Sequence, residues 1–178
     1  MADLDLLDRL LGHDRWTTTQ VLAAAASLTD AQLDQPFDVG HGTVRATLAH
    51  LIGNVEVWTD LMAERPVGAR PAPAAPPSVA DFQRRYAVAA ARFAELAREQ
   101  RDAGLLNDTY LDVLDQPPRA KTFGGTLLHV LTHNHQHRAE LLHLLARLGV
   151  PNLIEGDVLS WEMQAKSDRA EGAPPTTA

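Results

Sequence analysis

The chain contains no cysteine among its 178 residues. Disulfide bonds, thiolate metal sites and a thiol nucleophile of the protein itself are therefore excluded. Any metal site has to be built from histidines and carboxylates, the remaining common protein ligands for divalent transition metals. A reaction that needs a thiol would have to take it from a separate small molecule.

An excess of basic residues is also missing. The 16 Lys and Arg residues are outnumbered by 23 Asp and Glu residues, which gives a formal net charge of -7, and the chain has no basic run. Such a surface repels a phosphate backbone. Nucleic acid is therefore not an expected partner.

Long hydrophobic runs are absent as well. No segment approaches the roughly 18 uncharged apolar residues of a membrane-spanning helix. The N-terminal "MADLDLLDRL" carries acidic residues before any apolar run and lacks the basic start of a signal peptide. These features predict a cytoplasmic protein without a membrane partner.

Hydrophobic residues make up 45% of the chain, enough for one domain with a sizeable core. We expect this domain to cover residues 1–165. Residues 166–178 are mostly polar and end in "EGAPPTTA", so they are expected to form a disordered C-terminal tail.

Apolar residues recur at helical spacing in four long segments, which predicts four long α-helices. Thr43 and Ser78 are favourable N-cap residues, and Gly149 stands where a left-handed C-terminal cap is expected. The predicted helices cover approximately residues 3–27, 43–65, 78–102 and 125–148.

Shorter elements are expected between and after these helices. "TDAQ" at 29–32 has the form of a capping box, "PVGARPAPAAPP" at 66–77 predicts a long proline-rich interhelical loop, and "TYLDVLDQPPRAKTF" at 109–123 predicts a small hairpin. "DVLSWEMQ" at 157–164 is expected to add one helical turn. The predicted fold class is all-α, a four-helix bundle.

The segment "LLHVLTHNHQHRAELLHLLARLG" at 127–149 holds five of the eight histidines. His129, His133 and His137 fall one helical turn apart on an otherwise largely apolar stripe, whereas His135 and His143 lie off it. A buried imidazole with unpaired nitrogens costs about 1–3 kcal/mol, so it needs a hydrogen bond or a metal. Two histidines at positions i and i+4 are suited to bind one divalent ion.

A third ligand has to come from another helix, and His50 in "TLAHLIGNVEVW" is the candidate because core residues flank it. A hydrogen-bonded structural histidine is the commoner alternative for such a position. His13 and His41 lie near helix ends and are expected to be exposed, and His41 and Trp161 could also lie near the mouth of a pocket. Trp16 and Trp58 are most simply core or interface aromatics.

The last long helix has a further apolar face. Its second set of leucines suggests that the helix is covered once by its own bundle and once by a partner. A homodimer is the simplest way to supply the second cover. The leucines concerned are Leu127, Leu131, Leu142 and Leu145.

"TVRATLAHLIGNVEVW" followed by "GTLLHVLTHNHQHRAELLHLLARLG" resembles the DinB-like four-helix-bundle superfamily over residues 4–149. This superfamily includes bacterial damage-inducible proteins and thiol-dependent enzymes such as mycothiol-dependent maleylpyruvate isomerase and bacillithiol transferase. The resemblance implies a divalent metal bound by His50, His133 and His137. His129 matches an upstream histidine that is not a usual ligand, and Arg138 matches the arginine after the last ligand.

The chain departs from the family pattern after that arginine. Ala139 and Glu140 stand where the family commonly has Gly and Gln. Glu140 is the candidate catalytic residue: its carboxylate could take a proton from metal-bound water, orient a ligand imidazole, or occupy the open metal position. Only the last role would argue against catalysis.

Three neutral histidines leave a zinc or nickel ion with an open position, as in catalytic sites. The resemblance implies a metal-dependent enzyme that activates a low-molecular-weight thiol for transfer or isomerisation on a small electrophile. Two alternatives stay open: a metal-dependent hydrolase using metal-bound hydroxide, and a non-catalytic dimeric metal- or ligand-binding protein.

Overall fold

The structure is a computed structural model that describes residues 4–67 and 75–171, with side chains to residue 164. Within these residues the chain forms six helices and one two-stranded sheet. They are α1 (Leu6–Ala25), α2 (Asp30–Leu33), α3 (Val44–Met62), α4 (Val79–Asp102), β1 (Thr109–Asp112), β2 (Arg119–Thr122), α5 (Phe123–Arg147) and α6 (Val158–Glu171). The predicted all-α architecture is confirmed, and residues 68–74 of the proline-rich loop lie outside the described residues.

The helix starts follow from the capping side chains. Thr43 accepts a hydrogen bond from the backbone N–H of Ala46 at 3.0 Å, and Ser78 and Asp81 form a reciprocal capping box. Thr29 and Gln32 form a second capping box at α2. Gly149 follows the end of α5 with φ +80°, as expected for a left-handed cap.

The four long helices form a bundle in which α3 packs against α4 and α5, and α1 packs against the same two helices. Two apolar clusters fill the bundle, one around Leu51 and Phe82 and the other around Val55 and Phe93. Between them, along both α1 and α5, the buried residues are polar. This polar layer comprises His13, Asp14, Thr17, Thr18, Asn134, His137 and Arg138. The expectation that His13 is exposed is wrong, because it lies inside α1 with its Nε2 atom 2.8 Å from the carbonyl oxygen of Gly156.

The second apolar face predicted on α5 is covered within the chain. Leu127, Leu131 and Leu145 are 3%, 7% and 0% exposed and belong to the two core clusters, and Leu142 packs at the edge of one of them. The argument that this face needs a partner is therefore wrong. Homodimerisation stays a prediction without that support.

The predicted hairpin is present as an antiparallel pair in which Thr109 lies opposite Thr122. Its turn contains a cis Gln116–Pro117 peptide bond. Strand β2 ends at Thr122, and the side chain of this residue caps α5. The hairpin therefore marks where the histidine-rich helix begins.

The C-terminal segment forms a longer helix than the single turn predicted at 157–164. Helix α6 runs to Glu171, six residues into the predicted tail, and it packs on α1. Trp161, 8% exposed, lies so close to Gly12 that a Cβ there would be 2.5 Å from the indole ring. Residues 172–178 of the predicted tail lie outside the described residues. None of the described helices is long and apolar enough to cross a bilayer.

Candidate metal centre

Three imidazoles from α3 and α5 converge at one point beside the polar layer. Nε2 of His133 lies 2.8 Å from Nε2 of His50 and 3.1 Å from Nε2 of His137. His50 is brought there by α3, which Thr43 caps two turns earlier, and the other two by consecutive turns of α5. The structure thus brings together the three residues that were predicted from the sequence to be metal ligands.

Hydrogen bonds alone cannot satisfy all of the ring nitrogens in this cluster. Nδ1 of His137 lies 2.7 Å from Oε2 of Glu140, so this nitrogen donates to the carboxylate and, in the neutral ring, Nε2 of His137 carries a lone pair. The Nε2 atom of His133 can hold only one proton, yet it has short contacts to two other nitrogens. A cation between the three rings would accept all three lone pairs.

The distances also fit a shared ion. Nitrogens about 2.0–2.1 Å from a tetrahedral zinc ion are roughly 3.3 Å apart. The observed separations of 2.8 and 3.1 Å are only slightly shorter. Small outward movements of the rings would therefore admit a divalent ion.

The site favours neutral imidazoles, which are the forms that bind metals. Burial lowers the pKa of His50 to about 4, and repulsion from His41, His137 and His133 adds to the effect. Burial, followed by the neighbouring His137 and His129, also lowers the pKa of His133. Protons thus compete with a metal for these nitrogens only in acidic solution.

Glu140 lies behind His137, on the ring nitrogen opposite the other imidazoles. Of the roles predicted for this carboxylate, its position fits the orientation of a ligand ring. An outer carboxylate of this kind fixes the tautomer and raises the basicity of a histidine ligand. A direct catalytic role of Glu140 stays a prediction.

A fourth imidazole was not predicted at the site. His41 is exposed, and its ring stacks on that of His50 with centroids 3.8 Å apart. The ligand atoms of His41, His50 and His137 lie within 4.8 Å of one another, so these three could also hold a metal ion. His133 differs from His41 in that its Nε2 atom has short contacts to both His50 and His137. The glycine-flanked "GHG" was the sequence signal for a tight turn presenting a histidine.

His129 lies one turn before His133 on α5 but is not one of the three imidazoles whose Nε2 atoms converge. Its ring centroid is 5.3 Å from that of His133 and 5.3 Å from that of Trp58. His129 and Trp58 line a cavity of about 390 Å³ together with Lys121 and Thr126. A second cavity, of about 450 Å³, opens beside His50 and is also lined by Asn54, Val57 and Arg85. Trp58 thus packs at the edge of the core, as predicted, and also lines a cavity.

The polar layer holds α5 against α1 next to the site. Arg138 and Asp14, 2% and 5% exposed, form an ion pair. Asp14 also accepts hydrogen bonds from Asn134 at 3.2 Å and from the hydroxyl of Tyr86 at 3.1 Å. Because Asn134 and Arg138 each follow a site histidine, this network fixes the rotation of α5 about its axis.

The family follows from comparison of the whole chain with known families. A model described as the DinB superfamily matches residues 13–141, more than half of the chain. The chain belongs to the DinB superfamily. No curated protein and no solved structure matches it significantly.

The stretch matched to the DinB superfamily contains every residue of the candidate site. The clustered imidazoles within this stretch could hold a metal ion. The nature of the ion and the reaction are matters for proposal.

Proposed function

We propose that this DinB-superfamily chain is a metal-dependent enzyme. His50, His133 and His137 would hold a divalent transition metal, zinc or nickel. A low-molecular-weight thiol would then react with a small electrophile, by transfer or isomerisation. The observation that carries the proposal is the convergence of three Nε2 atoms, with separations of 2.8 and 3.1 Å about His133.

Coordination to a divalent cation lowers the pKa of a thiol enough to keep it deprotonated at neutral pH. The protein's residues prepare that chemistry. Burial keeps His50 and His133 neutral, and Glu140 directs the lone pair of His137 toward the other rings. In the transfer reaction the sulfur forms a bond to the electrophilic carbon, whose leaving group departs with the bonding electrons.

The cavity beside His50 provides room for the reactants. Its volume of about 450 Å³ is within the usual 300–1,000 Å³ range for small-molecule sites. Val57 and Pro66 offer apolar contacts, and Asn54 and Arg85 supply polar groups on the same wall. A small molecule bound here would lie against one of the proposed metal ligands.

The choice of a thiol as co-reactant rests on the resemblance. The absence of cysteine from the chain is compatible with it, because the sulfur would come from the small molecule. The chain's histidine segments resemble those of thiol-dependent members of the superfamily. A hydrolase would be distinguished by turnover of ester substrates without added thiol.

A non-catalytic metal-binding protein is the second candidate. The fourth imidazole favours it, because four protein ligands are typical of structural metal sites. If His41 stayed on the metal in the presence of every thiol tested, this second candidate would be preferred.

The test begins with metal content. Purified chain is stripped, reloaded with zinc or nickel and compared with His133→Ala and with the exposed control His143→Ala. We expect about one ion per chain for the wild type and the control, and clearly weaker binding for His133→Ala, in which His41, His50 and His137 remain. A wild-type chain that binds neither ion would overturn the proposal.

Loaded protein is then assayed with glutathione, mycothiol and bacillithiol against an electrophilic chloroarene, which releases chloride on thiol transfer. An electron-poor cis-alkene is used to detect isomerisation. We expect turnover with at least one thiol, and much lower turnover with His133→Ala at the same metal concentration. Full metal occupancy without any thiol-dependent turnover would contradict the thiol route.

A further inference from the structure

His41 occupies an unusual position for an exposed histidine. Its ring lies over that of His50 at 3.8 Å with an interplanar angle of 29°, and its centroid is 5.2 Å from that of His137. Ring stacking accounts for the contact with His50, but His41 also lies against His137. The position therefore brings a nitrogen donor close to those of two proposed metal ligands.

The distances allow His41 to reach the same ion as its neighbours. Two nitrogens bound to one tetrahedral zinc ion are roughly 3.3 Å apart. The ligand atoms of His41, His50 and His137 lie within 4.8 Å of one another. A movement of the rings by about 1.5 Å or less would therefore place His41 in coordination range.

The loop that carries His41 is anchored where it meets the core, whereas the glycines beside His41 allow its backbone to change conformation. The backbone N–H of Phe37 donates to the carbonyl of Gly42 at 2.7 Å, and both Phe37 and Val39 pack against the core. Gly40 and Gly42, on either side of His41, have φ values of +55° and +82°. Glycine pays no steric penalty for these angles, so the tip can change conformation at little cost.

Glu140 connects this loop to the metal-binding helix. A Cβ on Gly40 would lie 2.6 Å from Oε2 of Glu140, the same oxygen that lies 2.7 Å from Nδ1 of His137. The absence of a side chain at Gly40 therefore lets the loop approach close enough for His41 to reach the site.

We propose that His41 is a fourth, displaceable donor of the metal centre, which an anionic ligand replaces. The proposal rests on the metal binding proposed above. Four neutral imidazoles leave the charge of a divalent ion uncompensated by any direct ligand, and Glu140 supplies only a nearby negative charge. An incoming thiolate or carboxylate is therefore favoured electrostatically over a neutral molecule in replacing one imidazole.

The experiment uses the Co²⁺-loaded chain, whose visible absorption reports the number and type of metal ligands. Wild type is compared with His41→Ala and His41→Gln, and the exposed His143→Ala serves as control. We expect Co²⁺ affinity to fall about tenfold or more in both His41 variants, with a changed absorption spectrum, while His143→Ala matches the wild type.

A titration with 2-mercaptoethanol tests displacement directly. In His41→Ala no imidazole has to leave, so its thiol binding curve should shift to lower concentration by about tenfold. If the wild type and both His41 variants bind Co²⁺ with the same spectrum and affinity, the role of His41 is overturned and the proposed metal binding is not. Wild type that takes up no Co²⁺ removes the proposed metal binding and this inference together.

Discussion

Nε2 of His50 and Nε2 of His133 lie 2.8 Å apart although 83 residues separate them in the chain. The contact joins α3 to α5 across the bundle. An ion bound at this point would cross-link two helices that are distant in sequence. Metal occupancy should therefore be visible in the stability of the whole domain.

Metal removal is expected to lower the melting temperature. A ligand present at 100 times its Kd stabilises the folded state by about 2.7 kcal/mol. For a domain of this size that corresponds to roughly 5–11 °C. Calorimetry with zinc and with EDTA measures the difference, and His133→Ala should show a clearly smaller one. An equal shift in that variant would place the metal elsewhere.

Glu140→Gln is expected to weaken metal binding by about 10- to 100-fold, the usual effect of changing an outer partner of a metal-bound histidine. Glutamine keeps the size of the side chain but not its charge, so the fold should be retained. Competition with a chromophoric chelator measures the affinity. The exposed Glu95→Gln on α4 is the matched control. Unchanged affinity in Glu140→Gln would mean that this carboxylate does not support the ligand.

The metal-free protein is expected to lose stability as the pH falls from 6.5 toward 4. The pKa of His50 is lowered in the folded state to about 4 from its ordinary 6.5, first by burial. Between these values the unfolded chain binds more protons, so the contribution to stability is complete above pH 6.5 and disappears near pH 4.

Urea unfolding of the protein in EDTA at several pH values tests whether the free energy of unfolding falls with pH in this direction. The difference between wild type and His50→Gln should shrink across that window, because glutamine does not titrate. A difference that is constant from pH 7 to 4 would show that His50 has an ordinary pKa in the folded protein.

Arg138→Met is expected to destabilise the domain by about 3–5 kcal/mol, because it leaves the Asp14 carboxylate buried without its cation. Both side chains are almost fully buried. The double variant Asp14→Leu, Arg138→Met removes both charges and should regain much of the loss. Urea denaturation of the single and double variants measures the coupling. Additive losses would mean that the two charges do not stabilise each other.

Local sequence patterns predicted the helices well. Thr43, Ser78 and Gly149 mark helix ends through interactions that span at most a few residues, and all three were placed correctly. The spacing of His133 and His137 on one face of α5 is equally local. These features could be predicted because helical geometry fixes which residues are neighbours within four positions.

Patterns that depend on what covers a surface were harder to interpret. Leu127 and Leu131 suggested a partner, but the bundle itself buries them. Helix α6 continues past the predicted boundary although its sequence is polar, and its contact with α1 depends on Trp161 fitting against Gly12. Neither outcome follows from hydrophobic periodicity, which shows that a face is apolar but not what lies on it.

The sequence by itself determined a cysteine-free helical bundle and an i, i+4 pair of histidines on its last long helix. Only the tertiary structure decided that His50 meets this pair, that His41 joins them, and that Glu140 lies behind one ring. The physical reason is distance along the chain. Helical periodicity relates neighbours within a turn, whereas contacts between α3, α5 and the loop around His41 depend on how the helices pack.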